Sequence, residues 1–261
     1  MRLEDWWCWY EEIARTFGFS IEEDQKAADL LSSLIEKRAM GLANLRKEIK
    51  GRPVIVFGAG PSLVRNLQEI RRVITRSEWC IASADGATTA LMEADVTPDY
   101  VVTDLDGRVG DILEAQRVGA LIIIHAHGDN IQALRSYVPL FQGRVIGTTQ
   151  AQPRRNVYNF GGFTDGDRCV FLAEEFGAVL VVLAGMDLGS VVGKYSKPYL
   201  QADLVAEEVK RKKHWIARRL LSWLSECSSV KILNVTGSGE KIEGLRDIQY
   251  GDLTNWRSLI S

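Results

Sequence analysis

The stretch Val54-Ile55-Val56-Phe57-Gly58-Ala59-Gly60-Pro61-Ser62-Leu63 indicates the fold class of this 261-residue chain. Its first four residues form a short apolar run, rich in β-branched side chains, which is typical of a parallel strand buried on both faces. The glycines that follow permit a tight turn, and Pro61 suits the first turn of a helix. The stretch therefore predicts a buried strand that passes through a glycine loop into a helix.

Further apolar runs follow along the chain, and amphipathic helical segments separate several of them. They occupy residues 79–82, 100–103, 120–124, 144–146, 179–183 and 231–235. This alternation favours a doubly wound, mostly parallel sheet of the α/β class. Because ligands of such sheets bind beyond the carboxyl ends of the strands, the residues after each run are the candidate site.

Residues 1–50 are predicted to form a helical extension in front of an α/β catalytic domain of residues 51–255. Ser20 and Glu23 have the spacing of a capping box that opens a second helix within this extension. The apolar residues of the first helix recur at steps of three and four, which is typical of one buried face. These residues are Trp6, Trp9, Tyr10, Ile13 and Phe17. Packing against the main domain is favoured over a ligand-stacking platform.

Composition excludes several classes of protein. With 32 basic and 34 acidic residues, the chain lacks the basic excess of a general nucleic-acid binder. No apolar run approaches the ~20 residues needed to cross a bilayer, and the acidic N-terminus is unlike a signal peptide. Four scattered cysteines indicate reduced, mostly buried thiols in the cytoplasm. We expect small-molecule partners, with no nucleic acid and no membrane, and a homo-oligomer stays open.

Two aspartates after the third apolar run carry the most chemical information. Asp104 and Asp106 are two residues apart, so on an extended chain their carboxylates point the same way while Leu105 turns back. Like charges repel unless a cation compensates them, and hard oxygen ligands at a strand end suit Mg²⁺. The pair is therefore predicted to bind a metal, and a solvated acidic turn is the alternative.

Backbone amides and a further acid follow the first two strands. Gly58, Gly60 and Ser62 could hold a phosphate at the helix start, or they could form an ordinary strand-to-helix turn. The third glycine of the dinucleotide fingerprint and the lysine of a Walker loop are both missing. Asp85, after the second strand, is equally consistent with a site and with a turn.

Histidines and hydrogen-bonding side chains follow the next two strands. A zinc or di-metal hydrolase would need more ligands than the three histidines of the chain supply. We therefore interpret His127 and Asp129 as substrate or phosphate contacts, with a structural role as the alternative. Thr149 and Gln150 can read the edge of a heterocycle or cap a turn.

Two later segments complete the candidate residues. Residues 159–168 hold two glycines, two acids and an arginine, which is more than the start of a helix requires. Lys194 and Lys197 follow the strand at residues 179–183 and could neutralise a polyphosphate. The basic residues 210–213 are interpreted as the solvated face of a helix.

The order of these motifs closely resembles that of the archaeal 6-hydroxymethyl-7,8-dihydropterin diphosphokinases, over nearly the whole chain. Besides the tryptophan-rich start, the matching motifs occupy residues 58–63, 84–87, 98–106, 125–130, 159–168, 185–189 and 194–198. A more distant similarity reaches the thiamin pyrophosphokinases, whose Ala-Asp-Gly-Gly motif resembles residues 84–87. Their metal-binding motif ends in a serine where this chain has Gly107.

The resemblance implies a Mg²⁺-dependent transfer of diphosphate from ATP to the hydroxymethyl group of a reduced pterin, releasing AMP, in folate or methanopterin synthesis. Asp104 and Asp106 would bind the metal, and Asp129 would help the metal or orient the attacking hydroxyl. The residues implied for the phosphate tail are Gly161, Gly162, Arg168, Lys194 and Lys197. Those implied for the edge of the pterin are Asp85 or Asp165, with His127, Thr149 and Gln150 nearby.

Other functions stay open from the residues alone. A nucleotide-sugar-dependent glycosyltransferase also combines an Asp-x-Asp pair, a metal and a doubly wound sheet. A thiamin-type pyrophosphokinase and a pterin- or nucleotide-binding module without catalysis are further alternatives. A dehydrogenase fits least, because no acid clearly ends the second strand in the position that binds ribose.

Overall fold

The computed structural model describes residues 3–260, which form ten α-helices and eleven β-strands, with short 3₁₀ turns between them. The helices are α1 Leu3–Phe17, α2 Ile21–Ile35, α3 Leu42–Ile49, α4 Leu63–Val73, α5 Ala87–Glu93, α6 Val109–Arg117, α7 Ile131–Tyr137, α8 Asp165–Glu175, α9 Glu208–Cys227 and α10 Arg257–Ile260. The strands are β1 Pro53–Phe57, β2 Cys80–Ala84, β3 Tyr100–Thr103, β4 Leu121–Ala126, β5 Val145–Thr149, β6 Val157–Tyr158, β7 Leu180–Ala184, β8 Val191–Val192, β9 Leu204–Val205, β10 Lys231–Asn234 and β11 Arg246–Asp247.

Nine of these strands form one sheet in the order β11-β10-β7-β1-β2-β3-β4-β5-β6. Each neighbouring pair in this sheet is parallel, which confirms the predicted α/β class. The chain runs outward from β1 to β6 and then returns to the other side of β1 as β7. The crevice between β1 and β7 is therefore the topological switch point, where ligands of such sheets bind.

Helices cover both faces of the sheet, so its strands are buried on both sides. Along β1, Val54 and Val56 point into one apolar cluster with α1, α3, α8 and α9, while Ile55 and Phe57 point into another with α4, α5 and α10. A third cluster packs α2, α6 and α7 against β4 and β5. This two-sided burial explains why the strand sequences are continuous apolar runs without alternation.

The N-terminal helices belong to the same core. Trp6 and Ile13 of α1 are fully buried among residues of α8 and α9, which confirms that the tryptophan stripe packs against the main domain. Ser20 caps α2 and accepts a hydrogen bond from the Glu23 amide at 3.2 Å, which is one of the two bonds of the predicted capping box. Ala39 forms an isolated parallel bridge with Val145 beside the sheet.

The seven predicted strands are found within three residues of their expected bounds. Four strands were not predicted, namely β6, β8, β9 and β11, and each has only two residues. Such short strands carry no periodicity that a sequence pattern could show. β8 and β9 pair with each other in an antiparallel hairpin outside the main sheet.

The four cysteines are free thiols. The prediction of mostly buried thiols is correct for Cys80 and Cys169, whereas Cys8 and Cys227 are exposed at the surface. Among the helices of residues 3–260, not one combines the length and the apolar character required of a membrane span.

Candidate active site

A cavity of about 300 Å³ lies at the switch point, beyond the carboxyl ends of the central strands. Its walls come from the loops that follow β1, β2, β3, β4, β5 and β7, and from the first turns of α8 and α9. Most of the polar motifs singled out in the sequence therefore meet in one place, because parallel strands end at one edge of the sheet.

Three carboxylates form a cluster in this cavity. Asp85 follows β2, while Asp104 and Asp106 follow β3, and one oxygen from each lies within 4.8 Å of the other two. Within residues 3–260 this is the one group of three or more side chains arranged to share a metal ion. Asp85, predicted as a contact for the pterin edge, is thus placed among the predicted metal ligands.

The backbone at the cluster differs from the extended chain that the sequence suggested. β3 ends at Thr103, and the buried Leu105 has a φ of +68°, in the left-handed region that non-glycine residues seldom adopt. The Leu105 amide donates to Thr103 Oγ1 at 2.8 Å, which holds this turn. Asp104 and Asp106 still face one site, but through a tight turn instead of strand alternation.

The electrostatics of the cluster favour a cation. Asp85 is 5% exposed, its Oδ1 accepts the Thr103 hydroxyl, and its Oδ2 has no partner among the described residues. Burial, and then the charges of Asp104 and Asp106, raise the pKa of Asp85 well above its ordinary value. An orphaned buried oxygen beside two further carboxylates is the donor set that a hard divalent ion such as Mg²⁺ prefers.

His127 contributes to the charge state of Asp104. Burial alone would raise the pKa of Asp104, but the hydrogen bond from His127, with help from the charge of Lys197, holds it below its ordinary value. His127 Nδ1 accepts from the Asp129 amide at 3.3 Å, so the ring proton lies on Nε2, 3.5 Å from Asp104 Oδ2. His127 therefore orients a carboxylate of the cluster, as well as lining the cavity.

Basic side chains also line the cavity. Lys197 forms an ion pair with Asp106, and Arg168 is held by the Phe163 carbonyl and by Gln150 Oε1, at 3.0 and 3.3 Å. Lys210 and Lys213 of α9 also line the cavity, so the interpretation of residues 210–213 as a solvated face is wrong for these two. Burial, and then the charges of Lys197 and Lys213, lower the pKa of Lys210.

The loop before α8 is held by Asp167, whose two oxygens accept the amides of Phe163 and Thr164 at 2.7 Å each. This anchor brings Asp165, the first residue of α8, into the cavity wall. Burial, and then the nearby Asp104 and Asp85 carboxylates, raise the pKa of Asp165 well above its ordinary value. Asp165 is therefore a hydrogen-bonding acid in a crowded acidic site.

Gly161 and Gly162 shape that loop from behind the cavity wall. Both have φ near +81°, and a Cβ on Gly162 would lie 2.8 Å from the Arg168 Cα. The Gly161 amide already donates to Asn159 Oδ1 at 3.1 Å. Gly162 thus packs against Arg168, and neither glycine lines the cavity. Their amides are therefore not positioned to bind a phosphate in it.

Close backbone packing characterises the switch point itself. A Cβ on Gly58 would lie 2.6 Å from Met186 Sδ and 2.8 Å from the Gly185 carbonyl, so only glycine fits there. Gly58 and Gly60 both line the cavity. Ser62 does not, because its hydroxyl and amide both donate to Asp187 Oδ2, at 2.8 and 3.2 Å.

Three other predicted residues lie away from the cavity wall. Asp129 and Lys194 are exposed, and Thr149 is buried with its hydroxyl accepting the Ala151 amide at 3.1 Å. Gln150 does line the cavity, but its amide nitrogen donates to Asp24 Oδ2 at 2.7 Å.

Several residues of the wall were missed in the sequence, among them Phe19, His125, Asp187, Lys210 and Lys213. A signal for the two lysines exists in α9. His214, Ala217 and Leu221 are buried at helical spacing, and Lys210 and Lys213 continue that stripe toward the start of the helix. Phe19, between α1 and α2, had no signal, because the approach of this loop depends on tertiary packing.

The chain is similar to known proteins along most of its length. The sequence model of the 6-hydroxymethylpterin diphosphokinase MptE-like family matches residues 30–193. A 6-hydroxymethyl-7,8-dihydropterin pyrophosphokinase of Methanothermobacter thermautotrophicus is 47% identical over 234 residues, which cover 89% of this chain and 99% of the relative. Pyrophosphokinases of the same description from Pyrococcus furiosus and Methanocaldococcus jannaschii are 46% and 38% identical, over 89% of this chain and 98% and 100% of theirs.

Among solved structures, the MAf glycosyltransferase of Magnetospirillum magneticum AMB-1 superposes with a TM-score of 0.51 at 16% identity. The match covers 90% of this chain and 41% of that one. At this level of identity the likeness shows a shared fold and carries no statement about activity.

Proposed function

Because the chain belongs to the MptE-like 6-hydroxymethylpterin diphosphokinase family, we propose that it transfers diphosphate from ATP to 6-hydroxymethyl-7,8-dihydropterin. The products are the pterin diphosphate and AMP. The observation that supports this reaction is one cavity that is lined by a cluster of three carboxylates and by three lysines and an arginine. Such a site suits a metal-bound polyphosphate, since it offers both hard oxygen ligands and cations.

Asp85, Asp104 and Asp106 are the proposed Mg²⁺ ligands. The unpartnered Asp85 Oδ2 and the mutual approach of the three carboxylates support this assignment. When bound, the ion would neutralise the phosphate oxygens and so reduce their repulsion of the nucleophile. His127 keeps Asp104 oriented through its Nε2 proton.

Lys197, Lys210 and Arg168 are the proposed partners of the phosphate tail. Fixed cations in a closed site stabilise the charge that spreads over the phosphoryl oxygens during transfer. The hydroxymethyl oxygen forms a bond to the β-phosphorus, the bond from that phosphorus to the departing AMP oxygen breaks, and the hydroxyl proton leaves to water. A primary alcohol mainly requires alignment, so no side chain is assigned as a general base.

Asp165 is the proposed partner of the amino-pyrimidine edge of the pterin. That edge presents adjacent N–H donors, which one carboxylate can accept together. Asp85 was the other candidate, but its closeness to Asp104 and Asp106 supports a role in metal binding instead. The ring of Phe19 lines the same cavity, and Phe163 lies 6.4 Å from it between ring centroids, so an aromatic wall is available for stacking.

The deciding experiment is mass spectrometry of the products after mixing the protein, Mg-ATP and 6-hydroxymethyl-7,8-dihydropterin. We expect AMP to accumulate in step with the pterin diphosphate, activity to stop with EDTA, and Mg²⁺ to restore it. Intact ATP with fresh reduced pterin and metal would overturn the proposal. A strict requirement for zinc would overturn the assignment of the metal.

A further inference from the structure

His125 is a buried histidine of β4 that faces the cavity and takes no part in the machinery described above. It is 1% exposed, it lines the cavity, and its Nε2 has no partner among residues 3–260. Its other nitrogen, Nδ1, lies 3.2 Å from Thr148 Oγ1. One ring nitrogen is thus fixed by the protein, and the other is free to meet a ligand.

The hydrogen bonds of Thr148 determine which nitrogen carries the proton. The Thr148 hydroxyl donates to the Ile124 carbonyl at 3.3 Å, so its oxygen is left as an acceptor for His125 Nδ1–H. Nε2 of the neutral ring then presents a lone pair to the cavity. Burial, and then the charge of Arg168, lower the pKa of His125 well below its ordinary value and outweigh the opposing contact with Gln150, so the ring stays neutral.

The lone pair on His125 Nε2 does not suit the phosphate tail. Phosphate oxygens present lone pairs and no proton at neutral pH, so they cannot pair with a nitrogen that also presents a lone pair. His127 is the neighbouring ring, with the two imidazole centroids 5.9 Å apart, and it is His127 that contacts Asp104 of the carboxylate cluster. The group that meets His125 Nε2 must therefore be an N–H donor, which the heterocycle end of the acceptor supplies.

We propose that His125 Nε2 accepts a hydrogen bond from a ring or exocyclic N–H of the reduced pterin and so selects for a donor at that position. This inference rests on the proposed function and adds a specificity residue to it. A heterocycle with a bare acceptor there would leave two lone pairs facing each other in a closed site, which is strongly unfavourable.

The test compares His125→Phe with His125→Gln. Affinities for 6-hydroxymethyl-7,8-dihydropterin and for the non-cleavable nucleotide α,β-methylene-ATP are measured by titration calorimetry with Mg²⁺. Phe keeps the bulk of the ring and removes the acceptor, so we expect the pterin Kd to rise by about tenfold or more. Gln restores an oxygen near the position of Nε2 and should bind within about threefold of wild type, and the nucleotide Kd should change in neither variant.

An unchanged pterin Kd in His125→Phe, with wild type binding the pterin, would overturn the role of His125 and leave the proposed function standing. Wild type that binds the nucleotide and no pterin would instead overturn the proposed function, and this inference with it. A second measurement needs no variant. Two-dimensional ¹H–¹⁵N NMR of the free protein should show His125 protonated at Nδ1, and a proton on Nε2 would overturn the proposal even if both variants failed to fold.

Discussion

Lys197 forms an ion pair with Asp106, although 91 residues separate the two in sequence. The pair joins the segment after β8 to the end of β3 and closes one side of the cavity. Burial alone would lower the pKa of Lys197, but the charges of Asp106, Asp104 and Asp85 raise it above its ordinary value. A permanent cation therefore stands beside three carboxylates, where it reduces their mutual repulsion and can also reach a phosphate.

The first prediction concerns the carboxylate cluster. Asp104→Asn and Asp106→Asn should lower kcat/KM by a factor of about 10² or more, because each removes a charged metal ligand. Asp129→Asn is the matched control, since Asp129 is exposed and outside the cavity wall. Its activity should stay within about threefold of wild type. The readout is AMP formation at saturating Mg²⁺, with circular dichroism to confirm folding.

A substitution of Asp85 can distinguish a role of this residue in metal binding from a purely structural role. Asp85→Asn removes one of three neighbouring like charges and keeps an oxygen for the Thr103 hydroxyl. Without divalent metal, the variant should be at least as thermally stable as wild type, whereas its activity should fall by about 10² or more. A variant that is both active and destabilised would show that Asp85 has a structural role in the turn after β2, which is the alternative that the sequence also allowed.

The second prediction compares lysines in matched pairs. Lys197→Ala and Lys210→Ala should each raise the KM for ATP by about tenfold, because both side chains line the cavity. Lys194 lies in the same loop as Lys197 but is exposed, and Lys212 pairs with Glu208 at 2.7 Å on the outer side of α9. Replacing either of these by Ala should leave the KM within about twofold.

An equal rise in KM for Lys194→Ala and Lys197→Ala would contradict this reading. It would show that the loop closes differently around the nucleotide, with Lys194 in the phosphate-binding role that the sequence alone assigned to it. A rise in the KM for ATP in Lys212→Ala alone would show that the outer face of α9, and not the cavity, binds the nucleotide.

The sheet and the joint position of the Asp104 and Asp106 carboxylates were predictable because both depend on local patterns. Each buried parallel strand is a short apolar run, and the polar residues after it must meet at one edge of the sheet. The joint position of Asp104 and Asp106 followed from their spacing, although the left-handed turn at Leu105 did not. The positive φ of Leu105 is imposed by packing and by the hydrogen bond to the Thr103 hydroxyl, and leucine as a residue type does not predict it.

The rest of the site could not be predicted, because it depends on contacts between residues that are far apart in the sequence. Asp85 joins the carboxylate cluster through the pairing of β2 with β3, and no local sequence pattern predicts the register of that pairing. Ser62 was predicted to bind an anion, but its hydroxyl and amide both donate to Asp187, which is 125 residues away in sequence. Lys210 and Lys213 looked like a basic surface, because a run of positive charge is usually solvated. Their helical register with His214 and Ala217 was the better guide.

The third prediction concerns the N-terminal helices, which hold the site through Asp24 of α2. This carboxylate is 2% exposed and accepts three hydrogen bonds, from the Tyr10 hydroxyl, the Gln150 amide and the Gly128 backbone, at 2.6–2.7 Å. Asp24→Ala leaves two buried donors and one partly buried donor without their partner, and it should lower the free energy of unfolding by about 2–4 kcal/mol. The measurement is equilibrium unfolding in urea.

Asp29→Ala is the control for this experiment. Asp29 is an exposed residue of the same helix, and it pairs with Arg154. Its removal should change the free energy of unfolding by less than about 1 kcal/mol. If Asp24→Ala were equally mild, α1 and α2 would be an appendage that packs on the site without supporting it.

The fourth prediction is a pH dependence of stability caused by His214. This side chain is 8% exposed and donates from Nδ1 to the Gly189 carbonyl at 2.7 Å. Burial lowers its pKa to about 4 from an ordinary value of 6.5. Between pH 6.5 and pH 4, His214 is therefore protonated in the unfolded chain but stays neutral in the folded chain. The free energy of unfolding consequently falls as the pH drops from about 6.5 to about 4. The total loss amounts to about 3 kcal/mol.

His214→Asn isolates this effect, because the asparagine amide can still donate to the Gly189 carbonyl but does not titrate. The free energy of unfolding is measured in urea at pH 7, 6, 5 and 4 for both proteins. The difference between wild type and variant should shift by about 3 kcal/mol in favour of the variant between pH 7 and 4. Carboxylates titrate in both proteins and cancel in this difference. A constant difference across the range would mean that His214 is protonated in the folded state as readily as in the unfolded one, so that its burial within α9 carries no electrostatic cost.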